Sequence, residues 1–177
     1  MSRPTDPVIC CKNIQSEGPI SFGQGCVVHP ECSLIAEAGP IVFGEYNIIE
    51  EKVRIVNRIK RDEQGKPLPG GPMVIGSYNL FEVGTVIENA EVGSFNLFEH
   101  RSGLQPGAGV GNNCVVTATA VIKSGMKVPD GSVVYSEDRY RSNPNTQEEA
   151  FRQNIKSLID ELARSLPKFN QIQSLHR

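Results

Sequence analysis

A step of six residues, sustained without a break, constrains this chain more than anything else in it. Val92, Phe98, Leu104, Val110, Val116, Ile122, Val128 and Val134 follow one another at that interval. Shorter runs keep the same period: Phe22, Val28 and Leu34; Phe43, Ile49 and Ile55; Ile75, Phe81 and Ile87. An amphipathic helix gives steps of three and four, and a half-buried strand gives steps of two. Neither produces a sustained six, whereas stacked β-helix repeats do.

A longer repeat lies over the short one. The heptapeptides that start at Gly23, Gly44, Gly76, Gly93, Gly111 and Pro129 align, and the last four starts are 17 or 18 residues apart. Three hexapeptides therefore make one coil of three flat sides and three corners. One residue per hexapeptide points inward and stacks on its equivalent in the next coil. Glycine and asparagine near the corners suit turns that need positive φ. The expected fold is all-β: a single-stranded parallel β-helix of about six coils over residues 20–135.

Breaks in the period locate the irregularities. Residues 1–19 form a lead, with an incomplete first coil at Val8 to Ile14. Three extra residues fall within Ala36 to Pro40. A charged, Gly- and Pro-rich stretch without periodicity, residues 57–72, reads as an exposed loop leaving one corner. Residues 136–145 are polar, contain Pro144 and read as a linker. Thr146 and Glu149 have the spacing of a capping box. Phe151, Ile155, Leu158, Leu162 and Leu166 then follow at helical spacing, so one amphipathic helix is expected over 146–167, ended by Pro167. A helix of that length is marginal alone, so its apolar stripe needs a surface, and a flank of the β-helix is the nearest one. Residues 168–177 are expected to be a mobile tail.

Composition narrows the function classes. A net charge of −2 gives no pull toward nucleic acid. No apolar run is long enough to insert in a membrane, and the first residues lack the apolar core of a signal peptide. Five cysteines without a CxxC pair read as reduced thiols, in keeping with the cytoplasm.

Catalytic chemistry is hard to assemble from these residues. Three histidines could suggest a zinc site like that of γ-class carbonic anhydrases. However, His29 and His100 fall in adjacent columns of the alignment and His176 lies in the tail, so no three nitrogens converge. Acyl transfer, common on hexapeptide-repeat folds, needs a histidine base near a subunit boundary, and the 57–72 loop has none. The expectation is therefore no catalytic residue, no cofactor and no metal. A homotrimeric acyltransferase or carbonic anhydrase-like enzyme is the alternative. Glu50, Glu82 and Glu99 share one column, with His29 before them and Thr117 after. Stacked in register they form a ladder of like charges about 4.8 Å apart. A basic partner surface, a nearby Lys or Arg, or simple solvation could each compensate it; the three residues are the candidate partner contacts. Asn47, Asn79 and Asn96 form a second column, bounded by Cys26 and Cys114, and read as a structural ladder.

Four segments carry a family resemblance. Ile35 to Glu45, Pro72 to Gly84, Val27 to Pro30 and Asn47 to Glu51 closely resemble the dynactin subunit 6 family, and the loop position and C-terminal helix fit it too. The first coil departs from that pattern by being shorter and richer in cysteine, and the tail is shorter. The resemblance implies a left-handed β-helix, a hand that periodicity alone does not supply. It also implies a non-enzymatic scaffold in the dynactin pointed-end complex, a cofactor of dynein-driven transport and cargo selection on the microtubule cytoskeleton. The implied partners are a dynactin subunit 5-like β-helix protein, an actin-related protein and a larger subunit.

Overall fold

A computed structural model describes residues 6–136, 139–143 and 147–173. The chain winds as a left-handed parallel solenoid with a triangular section. Its first face stacks Ile9–Cys10, Val27–Val28, Ile48–Ile49, Leu80–Phe81, Leu97–Phe98, Val115–Val116 and Ser132–Ser136 in parallel. The second face runs from Gln15–Glu17 to Val121–Ile122, and the third from Ile20–Phe22 to Lys127–Val128, six strands each. Six coils are thus complete, and a seventh contributes one side.

Every residue of the six-step runs lies in the interior. They form one continuous core, with Phe22 half-buried at the open end and the others buried. Pairing is in register, Leu80 beside Ile48 and Leu97, so like stacks on like. Phe81 and Phe98 stack with ring centroids 4.9 Å apart. Burying each such side chain contributes roughly 1.5–3 kcal/mol.

Corners are held by side-chain ladders. Asn79 Nδ2 donates to Asn47 Oδ1 (3.0 Å) and to Gly93 O (2.9 Å), while its Oδ1 accepts from the buried Asn96 amide at 3.0 Å. Asn96 Oδ1 in turn accepts from the Cys114 amide at 2.8 Å. The glycine column beside it allows this close approach: a Cβ on Gly76 would lie 2.4 Å from Gly93 O.

Both interruptions leave the corner between the second and third faces, one coil apart. Asn57 is buried between them and donates to Gly39 O (3.0 Å) and Gly71 O (2.9 Å). The 57–72 segment is a short tongue, not a structureless loop. Arg61 bridges Pro67, and Asp62 Oδ1 accepts the Gln64 and Lys66 amides at its tip.

The structure differs from the sequence expectation at both ends. The first coil begins at Ile9, and Cys10 and Ser16 fill the interior positions six and twelve residues before Phe22. Neither side chain registers as apolar, so the period looked broken there. Residues 139–142 do not link passively: Arg139–Ser142 folds back antiparallel on Ser132–Ser136 and closes that edge of the first face. The helix spans Glu148–Phe169, with Pro167 inside it. A proline so near the end forfeits little, and the Asn170 amide still reaches Leu166 O at 2.9 Å. Thr146 of the expected capping box lies outside the described residues, and Gln147 caps without a side-chain bond. Within the expected tail, residues 171–173 are pinned: Lys12 N donates to Gln171 O and Gln173 N to Cys10 O, both at 2.7 Å. The edge of the first coil supplies unpaired backbone groups, and the tail satisfies them. Residues 174–177 lie outside the described part.

The helix packs on the first face. Ile155, Ile159 and Leu166 are buried against Ile9, Cys11, Val27 and Ile48. Beside this seam runs an aromatic column, Tyr46, Tyr78 and Phe95, with centroids 5.0 and 5.2 Å apart. All three adopt left-handed backbone, φ +54°, +59° and +60°. Arg152 lies over the Tyr78 and Phe95 rings and Lys156 over Tyr46, each about 5 Å from the centroid. The helix is therefore clamped by cations on a ring stack as well as by apolar contact.

Candidate partner interface

Glu50, Glu82 and Glu99 follow the inward residue of the first face in successive coils, which brings all three to one corner, half-exposed. Each spends one carboxylate oxygen on the coil that follows. Glu50 Oε2 accepts from the Val83 amide (3.1 Å), Glu82 Oε2 from the His100 amide (2.9 Å) and Glu99 Oε2 from the Ala118 amide (2.8 Å). The ladder thus ties adjacent coils together. Burial is the main reason that the Glu50 carboxyl sits above its usual range, and Glu82 adds to it, while the Val83 amide and His29 work against it. Sequence reasoning missed this capping because the accepting corner lies a whole coil further along.

The histidines are dispersed. His29 is buried, with Nδ1 3.0 Å from Glu51 Oε1 and Nε2 without a hydrogen-bond partner. Burial raises the Glu51 carboxyl, but the His29 hydrogen bond and charge together with Lys52 outweigh it and leave the group below its usual range. His100 is exposed, and His176 lies outside the described residues. Among the described residues no three His, Cys, Asp or Glu side chains converge on a point that could hold a metal. The five cysteines are buried free thiols. Burial pushes Cys10 and Cys26 up to about 11 and Cys32 to about 12, so they are poor nucleophiles.

Two further surfaces could meet a partner. A groove of about 410 Å³ separates the tongue from the third face, lined by Arg58, Lys60, Pro69, Gly70 and Val74 among others. Arg58 is already paired with Glu88 at 2.7 Å. The second surface is the start of the solenoid, where Phe169, at 85% exposure, stands close to the tail pinned on the first coil.

No family model matches the chain. By fold it resembles hexapeptide-repeat transferases. A candidate acetyltransferase of Bacillus cereus superposes with a TM-score of 0.60 at 11% identity, covering 91% of this chain and 94% of that one. A UDP-N-acetylglucosamine acyltransferase of Bacteroides fragilis gives 0.55 at 13% identity, over 97% and 74%. These likenesses concern fold alone. By sequence, dynactin subunit 6 of Nematostella vectensis is 32% identical over 171 residues, covering 96% of this chain and 90% of that protein. Dynactin subunit 6 of Danio rerio is 30% identical over 75% and 69%. A relation of that extent, running through the tongue and the helix, means that the chain belongs to the dynactin subunit 6 family.

Proposed function

We propose that the chain is a non-catalytic structural subunit of dynactin, placed in its pointed-end complex. There it supports dynein-driven transport along microtubules and cargo selection. The observation that carries this reading is the kinship with dynactin subunit 6 over nearly the whole chain. The architecture supports it physically. A triangular rod whose interior is filled along its length, with reactive side chains buried or dispersed, offers shape and surface rather than a pocket for chemistry. Its partners would be a dynactin subunit 5-like β-helix protein, an actin-related protein and a larger subunit. Its location would be the cytoplasm, with the cytoskeleton. Glu50, Glu82 and Glu99 keep their second carboxylate oxygens for a basic partner surface along one corner.

Tagging the full chain at its genomic locus and isolating its complexes tests this. Co-purification of the dynactin filament and the pointed-end subunits is expected, and motile cargo should lose processive runs when the chain is depleted. A purified homotrimer that turns over acyl-CoA or holds stoichiometric zinc would overturn it.

A further inference from the structure

We infer that the start of the solenoid, and not its far end, is the docking face for the terminal coil of a second hexapeptide β-helix. The inference rests on the dynactin reading above for the identity of that second protein.

The two ends of the rod differ. At the far end the last interior residues, Ile122, Val128 and Val134, are already buried, and the first face is closed by Arg139–Ser142. At the near end Ile14, Ile20 and Phe22 remain only half-buried, so the core is open there. The backbone tells the same story. Gln15 N bonds to Cys32 O and Ile41 N to Pro19 O, so alternation along the strands turns Ser16, Ile20 and Phe22 outward. The Gln15–Glu17 and Ile20–Phe22 edges have no pairing strand beyond them among the described residues. Unprotected edges of this kind recruit strands from another chain.

The shape of the gap selects the occupant. Residues 171–173 already fill the first-face position of a coil before the first. Two sides of that coil are missing, and between them the chain turns sharply at Gly18, φ +76°. A straight peptide could line one edge but not both. Two short strands joined by a tight corner, which is what the last coil of another β-helix presents, would pair with both. They would also cover Ile14, Ile20 and Phe22. A second copy of this chain fits less well, because its far end carries Arg139–Ser142 on the face that the tail already fills. Phe169, fully displayed beside this gap, would be the apolar anchor at its rim.

The test co-expresses the full chain with the dynactin subunit 5-like β-helix protein and places a photo-crosslinking amino acid singly at Ser16, Phe169, Val74 or Lys127. Crosslinks to the partner are expected from positions 16 and 169 and not from 74 or 127. Phe169→Asp, on an exposed side chain, and Ser16→Pro, whose amide points away from the second coil, should each weaken the pair at least tenfold. A complex that forms but crosslinks only from Lys127 or Val74 would overturn the inference and leave the dynactin reading standing. Crosslinks from position 16 into a second copy, or into residues 1–5 of the same chain, would also overturn it. Complete failure to associate with any pointed-end subunit would remove the dynactin reading and the inference together.

Discussion

Replacing Asn79 by alanine should cost about 2–4 kcal/mol, because the ladder is a chain of buried obligations and not a set of optional contacts. Removing the side chain leaves the Asn96 amide buried without its acceptor, a loss of about 1–3 kcal/mol alone. It also takes the side-chain donor from Gly93 O and one of the two donors from Asn47 Oδ1. Asn79→Cys should be milder. In the same column the Cys26 and Cys114 thiols donate to Gly44 O at 3.1 Å and Pro129 O at 3.2 Å, so a thiol there can recover the Gly93 bond while still abandoning Asn96. Urea unfolding followed by far-UV circular dichroism reads the difference. With a slope of about 2 kcal/mol per molar urea, the alanine midpoint should fall by about 1–2 M. An alanine variant that loses less than about 1 kcal/mol, or a cysteine variant as damaged as alanine, would refute the ladder argument.

Thr119 sits exposed at φ +63°, a conformation costly for a β-branched residue, so Thr119→Gly should stabilise the fold by about 1 kcal/mol, read as a higher urea midpoint. Arg152→Ala should lose about 0.5–2 kcal/mol and expose the helix to proteolysis, because it removes the cation over Tyr78 and Phe95; an unchanged cleavage rate would argue against the clamp. The native thiols should resist iodoacetamide at pH 8 and react fully in urea; fast labelling of the native chain would contradict their burial. Since Cys10, Cys26 and Cys32 ionise near 11–12 when folded but near 8.5 when unfolded, the folded state holds more protons in that window. Stability should therefore fall as pH rises from about 8.5 through 11–12, and an alkaline urea series checks the sign.

The interior was legible because one inward residue per hexapeptide is almost always Val, Ile, Leu or Phe, and burial enforces that choice coil after coil. The Asn47, Asn79 and Asn96 column was legible for the same reason: stacking repeats the environment. The first coil was not, since Cys10 and Ser16 hold interior positions near an open end where apolar character matters less. The side that receives the helix also escaped notice, though its signal was present. On the first face the residue before each inward position is Ile9, Val27, Ile48, Leu80, Leu97 or Val115, whereas the third face shows Ser21, Glu91 and Lys127 there. Tyr46, Tyr78 and Phe95 occupied one column of the alignment, and Arg152 and Lys156 stand one helical turn apart; pairing them needed to be known in three dimensions. The corner glutamates looked like a charged stripe because the amides that they cap are about 17 to 32 residues away, beyond any local pattern.

The helix has a mechanical consequence. A stack of coils joined only to neighbours yields to tension one coil at a time, from whichever end is gripped. Here the helix starts beside Asn113 and Val115 and hands over to a tail hydrogen-bonded to Cys10 and Lys12. The rod is strapped from its sixth coil back to its first. Force along the axis must break the strap before any coil can peel, so the rod should stay rigid up to one threshold and then fail as a unit, a fitting property in a part that would lie between a motor and its load.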